Sequence, residues 1–119
     1  MSPASHKPEP RHVHMKIEHG PNPIDFRYHA SANGKPIDNP RLLKLDRGEF
    51  ITFESPHELT LRFRESPFEN PATVLDAIQS GSVWTISARV RSNAVYHRHY
   101  HYTVIDGTSA DDPEIIIET

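Results

Sequence analysis

Cysteine is absent from this chain of 119 residues. Its absence excludes disulfides, thiolate nucleophiles and every metal site that needs a cysteine ligand, including iron–sulfur clusters and blue copper centres. The sequence also lacks a stretch of about 20 apolar residues that could span a membrane. Its N-terminal segment has no apolar signal-peptide core. We therefore expect a soluble protein with no membrane partner, and a cytoplasmic location is the simplest interpretation.

A strong excess of either charge is missing as well. The formal net charge is -3 and the sequence pI is about 6.3, so no bulk attraction toward nucleic acid is expected. The arginine pairs Arg62/Arg64 and Arg89/Arg91 are interpreted as solvated strand faces. Catalytic motifs are absent too, because there is no Gly-rich phosphate loop, nucleophile elbow or His-Glu-x-x-His helix. This argues for a protein that binds rather than catalyses.

Glycine is scarce, with 5 residues, whereas proline is frequent, with 11. This balance suits short strands joined by irregular loops better than long helices. Apolar and polar residues alternate in several segments, which indicates half-buried strands; the clearest are 12–18, 26–29, 49–54, 57–64, 84–91 and 96–104. We predict an all-β, two-sheet Greek-key sandwich of roughly seven to eight short strands. Residues 12–119 form this single domain, residues 1–11 form a disordered tail, and at most one short helix lies near residues 72–79.

One hairpin is predicted in detail. A turn at Ser92–Ala94 joins two of the strands, which places Trp84 opposite Tyr102 and Ile86 opposite Tyr100 on one apolar face. Because a one-residue slip would turn every ring outward, this register is favoured. The histidines that alternate with the tyrosines then point away from the core.

Two segments resemble the cupredoxin-like sandwich. They are Ile51–Phe63 (ITFESPHELTLRF) and Tyr100–Val104 (YHYTV), followed by a closing apolar strand. The resemblance implies a two-sheet fold in which His57 matches the first metal-ligand position. The loop Asp106–Pro113 contains no histidine or methionine, and Val104 stands where the ligand cysteine is expected, so electron transfer through blue copper is excluded. Immunoglobulin-like sandwiches share much of the same pattern, and the resemblance carries no function.

The 9 histidines are the most unusual feature of the composition. By alternation His97, His99 and His101 share one strand face, and His12 and His14 share a face of the first strand. Zinc, copper and nickel all accept imidazole nitrogen. Because the first and last of the three are about 13 Å apart along an extended strand, one ion would take two of them with a ligand from a neighbouring strand. His99 and His101 are the favoured pair, with His97, His12, His14 or a carboxylate assisting.

His57 is a weaker ligand candidate. It has the parity of the apolar residues that follow it, so we expect it to point inward or to lie at the rim of the sandwich.

Three functions stay open. The favoured one is a non-catalytic binding or interaction module for a protein or small ligand, acting through a sheet face, an edge strand or loop ends. The first alternative is a histidine-based zinc, copper or nickel protein that uses the His97/His99/His101 face, and the second is a small metal-dependent enzyme. Ordinary solvated histidines explain the same pattern without any ligand. A homodimer through a sheet face or an edge strand such as Ile115–Ile117 is also open.

Overall fold

The computed structural model describes residues 10–20, 25–107 and 109–118. These residues form twelve strands: β1 (His12–His19), β2 (Phe26–Ala32), β3 (Lys35–Ile37), β4 (Leu42–Leu45), β5 (Phe50–Ser55), β6 (Thr60–Phe63), β7 (Val74–Asp76), β8 (Ile78–Ser80), β9 (Val83–Arg89), β10 (His99–Asp106), β11 (Ser109–Asp111) and β12 (Glu114–Ile117). Over the same residues, no helix with the length and apolarity to cross a bilayer is found. The predicted tail, except for Pro10 and Arg11, lies outside the described residues.

Two sheets contain all of these strands. The first sheet has the order β3-β2-β1-β5-β9-β8, and the second has the order β4-β12-β10-β6-β7, with β11 paired to β10. β1 pairs with β5 and β12 pairs with β4 in parallel, while the other pairs are antiparallel. The predicted all-β sandwich is confirmed. The strand number was underestimated because β3, β7, β8 and β11 have 3 residues each, too few to show an alternating pattern.

The core lies between the sheets and is built by strict alternation. On β10 the tyrosines Tyr100 and Tyr102 are buried, whereas His99 and His101 are exposed. The Tyr102 ring stacks on Phe63 within the second sheet and meets the edge of Phe53 from the first sheet, with ring centroids 5.0 and 6.0 Å apart. The predicted inward tyrosines and outward imidazoles are therefore confirmed for β10.

The helix predicted near residues 72–79 is wrong. The segment forms β7 and β8, which lie on edges of different sheets. Only Leu75 of these two strands is buried, while Ile78 is 75% exposed, so no apolar stripe of helical period faces the core. An isolated helix of two turns is marginal without such a stripe. Pairing β7 with β6 and β8 with β9 satisfies the backbone instead.

The hairpin predicted at Ser92–Ala94 is also wrong. β9 lies between β5 and β8 in the first sheet, whereas β10 lies between β12 and β6 in the second. Residues 90–98 cross from one sheet to the other. Ala94 is fully buried in this crossing, and its carbonyl oxygen accepts a hydrogen bond of 2.7 Å from Arg47 Nε. The rings of Tyr100 and Tyr102 therefore do not pair with residues of β9 across one ladder.

The closing strand β12 is not an edge. It lies between β4 and β10, so its apolar run gives no reason to expect edge-to-edge self-association. Ile115 and Ile117 belong to the core. Ile116 faces outward, yet it is only 8% exposed because Lys44 and His99 flank it on the neighbouring strands.

A carboxylate on β11 ties the two sheets together. Tyr28 of the first sheet donates a hydrogen bond of 2.7 Å to Asp111, and Arg41 donates two more, of 2.6 and 3.0 Å. The Arg41 hydrogen bond is the largest cause that lowers the pKa of Asp111 below its ordinary value of 3.8, and the Tyr28 hydrogen bond adds to it.

Asp111→Asn is expected to reduce the free energy of unfolding at pH 7 by about 1 kcal/mol, a value kept small because Arg41 is exposed. A carboxylate with a lowered folded-state pKa stabilises the protein above its unfolded pKa, and this stabilisation is lost as the pH falls through the folded value. The difference from wild type should therefore shrink below about pH 4. Urea unfolding at pH 7 and pH 3, with exposed Asp38→Asn as the control, tests this. A difference that is the same at both pH values would contradict it.

Candidate functional site

Outward side chains of β6 and β10, together with the residue that follows β6, form a polar surface on the second sheet. We call this surface, made of Arg62, Arg64, His99, His101 and Thr103, the basic face. Alternation explains each position, because the residues between them are buried. Arg62 pairs with Thr103 in the ladder between β6 and β10, and Phe63 pairs with Tyr102. Arg64, the residue after this last pair, lines the same groove as His101.

The two imidazoles of the basic face share one carboxylate. Glu114 on β12 pairs with His101, and its oxygens lie 2.9 Å from Nδ1 of His101 and 3.5 Å from Nδ1 of His99. All three side chains are partly solvent-exposed. With both Nδ1 atoms turned toward Glu114, the Nε2 atom of each ring is left to meet a ligand.

The two guanidinium groups of the basic face have no counter-ion among the residues that the structure describes. Arg62 and Arg64 are exposed and make no ion pair or side-chain hydrogen bond with another described residue. Every other arginine of the described chain contacts a carboxylate or a backbone carbonyl; these are Arg11, Arg27, Arg41, Arg47, Arg89, Arg91 and Arg98. Among the described arginines, Arg62 and Arg64 are therefore the two whose guanidinium groups have neither an ion pair nor a hydrogen bond.

An open groove of about 650 Å³ runs over this surface. Its walls include Arg62, Arg64, His101 and Thr103, with Asp112 at one end. Thr103 donates a hydrogen bond of 2.8 Å to Asp112. The groove thus offers three cationic or potentially cationic groups to a ligand, and its one carboxylate is already engaged.

The other predicted ligands lie elsewhere. His12 and His14 are on the outer face of the first sheet, where their rings stack with centroids 4.4 Å apart and His12 Nε2 lies 2.8 Å from Thr52 Oγ1. The core separates them from the basic face. The fold therefore does not bring His12 and His14 together with His99 and His101.

His97 is not on the strand face to which it was assigned. It occupies a turn before β10 with a φ of 65°, and its backbone N–H donates to the Ile117 carbonyl. The shared face predicted for three histidines therefore contains two.

His57 lies at the rim of the sandwich and does not point inward. It is exposed in the bend between β5 and β6, outside the alternating strand. Its backbone N–H donates to Ser55 Oγ at 3.2 Å, and its side chain borders a separate cleft with Asp106.

No group of three or more histidine, aspartate or glutamate side chains within the described ranges has the arrangement of a metal site. Two imidazoles and one carboxylate nevertheless converge at the basic face. Metal binding by His99 and His101 stays a prediction.

A second groove, of about 510 Å³, lies on the outer face of the first sheet and is lined by His14, Lys16, His29 and Glu54 among others. Its charges are mixed, and Lys16 is 3.6 Å from Glu18. It therefore presents no concentration of unpaired charge comparable to that of the basic face.

The sequence alone predicts that Arg62 and Arg64 lie on an ordinary solvated strand face. The available signal was local, since the two arginines alternate with Leu61 and Phe63 on one strand. Their proximity to His101 depends on the pairing of β6 with β10, which no local pattern specifies.

No protein-family model matches this chain, and no curated protein shows significant similarity to it.

Proposed function

We propose that this protein is a non-catalytic binding module that holds a negatively charged partner on the basic face. One observation carries the proposal: Arg62 and Arg64 are exposed next to His101 and have no counter-ion within the described part of the chain. Guanidinium groups match carboxylate and phosphate oxygens with paired hydrogen bonds. A ligand of this kind would neutralise a charge that the described part of the chain leaves unpaired.

The expected affinity is modest. Exposed ion pairs contribute about 0.2–1 kcal/mol each, so a single guanidinium would hold an anion poorly. Two arginines with an adjacent imidazole therefore contribute at most about 3 kcal/mol together, which corresponds to a Kd of roughly 6 mM. This affinity suits a transient interaction, and screening by salt should weaken it.

The shape of the groove favours binding over catalysis. Reactions that rely on electrostatic stabilisation are assisted by a site that excludes water, and this groove lies open on a sheet face. We also propose that the sandwich is of the cupredoxin-like or immunoglobulin-like type. The two-sheet layout is the one observation that supports this.

Metal binding is the second candidate. The observation in its favour is the carboxylate of Glu114, which faces Nδ1 of both His99 and His101 and would orient the Nε2 atoms as ligands. Nearby Arg64 opposes a cation. Calorimetric titration with zinc, copper and nickel separates the two candidates. Micromolar metal binding that is lost in His101→Ala would favour the metal function, and it would also keep open a small metal-dependent enzyme.

Binding to poly-L-glutamate at low ionic strength tests the favoured function. Arg62→Gln/Arg64→Gln should weaken binding about tenfold, because two ion pairs of about 0.7 kcal/mol each are lost. The matched control is Arg27→Gln/Arg89→Gln, which removes the same charge from the first sheet, where both arginines have acidic neighbours. Equal weakening by the two double variants would show a general charge effect and would overturn the proposal.

A further inference from the structure

We infer that the partner on the basic face is an extended acidic peptide segment, a segment of another protein, with carboxylates at alternate positions. This inference rests on the proposed function and narrows its ligand from any anion to one class. It follows from the spacing of the cationic groups, from the acidic residues beside them and from the absence of exposed aromatic rings on the described part of the face.

The spacing of the basic face is that of a β-strand. Arg62 lies on β6 and Arg64 directly follows it, and two residues of extended chain span about 6.6 Å. His99 and His101 repeat at the same interval on β10, one strand away. A peptide in extended conformation turns every second side chain to the same side at this interval. Glutamates or aspartates at alternate positions would therefore meet successive cationic groups without any adjustment of the backbone.

The peptide would lie across the face and would not extend the sheet. β6 and β10 are both interior strands, each hydrogen-bonded on its two sides, so their backbones offer no free ladder edge to a further strand. Recognition would depend on side chains above the sheet. The partner would therefore be recognised by negatively charged side chains at alternate positions and not by its tendency to form a β-strand.

Carboxylates limit the length of the segment. Asp112 lies at one end of the groove, where it accepts the Thr103 hydroxyl. Glu65 follows Arg64 and pairs with Arg98 at 2.7 Å. Those carboxylates of a longer polyanion that fall beside these acidic groups would be repelled. Only a short stretch with two or three carboxylates would therefore engage the two arginines.

The face also lacks the features expected for nucleic acid. Single-stranded nucleic acids are held by aromatic platforms together with positive charge, and no phenylalanine, tyrosine or tryptophan ring is exposed among the described outward residues of β6 and β10. Tyr100 and Tyr102 point into the core. The net charge of -3 also gives no general attraction toward nucleic acid.

Three fluorescent probes test the inference with the full chain. They are a capped peptide of alternating glutamate and threonine, a capped peptide of the same composition with the glutamates in one block, and a six-nucleotide oligodeoxythymidine. Fluorescence anisotropy at low ionic strength should show the alternating peptide binding at least fivefold more tightly than the block peptide. Arg62→Gln/Arg64→Gln should abolish this preference, while Arg27→Gln/Arg89→Gln should keep it.

Equal affinity for the two peptides, lost in Arg62→Gln/Arg64→Gln, would overturn the alternating register and leave the proposed function standing. Tighter binding of the oligonucleotide would overturn the peptide as partner. No binding of any probe, together with no binding of poly-L-glutamate, would overturn both the inference and the proposed function. Circular dichroism of each variant confirms that the strands are retained.

Discussion

Phe53→Ala is expected to lower the free energy of unfolding by about 3–5 kcal/mol, the loss typical of a large aromatic residue in a closed core. Phe53 is fully buried on β5, a central strand of the first sheet. Its ring meets the edge of Tyr102, which in turn stacks on Phe63. The substitution removes an apolar contact between the two layers and leaves a cavity that neither sheet can close alone.

Phe50→Ala is the matched control for this substitution. Phe50 is on the same strand but is 41% exposed on the outer face, next to Arg89. Its loss should cost no more than about 1 kcal/mol. Urea unfolding at pH 7 measures both variants. Comparable losses for the two would contradict the core position of Phe53.

Local alternation determined what the sequence could predict. On β10, polar and apolar residues alternate strictly, and a strand places alternate side chains on opposite faces. The inward Tyr100 and Tyr102 and the outward His99 and His101 therefore follow from the sequence alone. The same reasoning is less decisive at His57, which lies in a bend before β6 and is exposed at the rim, although Leu59 still follows the alternation and is buried.

Strand neighbours could not be predicted in this way. Alternation shows which face of a strand is buried but not which strand lies beside it. The segments before and after Ser92–Ala94 read as a hairpin because they are close in sequence, yet they belong to different sheets. The parallel pairs β1–β5 and β4–β12 join segments that are far apart in sequence and have no local signature.

The candidate site was half predicted for the same reason. His99 and His101 follow from alternation on one strand. Arg64 and Glu114, which decide the charge and orientation around them, come from β6 and β12 and depend on the sheet order. Without that order, the histidines suggest a cation site. With it, unpaired guanidinium groups beside the imidazoles favour an anion.

Glu49→Ala is expected to lower the free energy of unfolding by about 2–3 kcal/mol. Glu49 is buried to 7% exposure and accepts hydrogen bonds of 2.6 and 3.0 Å from Arg11 and of 2.7 Å from the Asp46 backbone N–H. Breaking a fully buried pair costs about 3–5 kcal/mol. The loss should be smaller here because the Arg11 side chain is 40% exposed and can return to water.

The contact with Glu49 explains how a parallel pair with no local signature is held in register. Arg11 immediately precedes β1 and Glu49 immediately precedes β5, so their pairing aligns the starts of two strands that run side by side. Glu49→Gln keeps an acceptor for Asp46 and should lose about half as much as Glu49→Ala. Exposed Glu58→Ala is the control, with an expected change within about 0.5 kcal/mol. Thermal and urea unfolding measure these variants. If Glu49→Ala proved as stable as Glu58→Ala, the register between β1 and β5 would have to be set by their core residues alone.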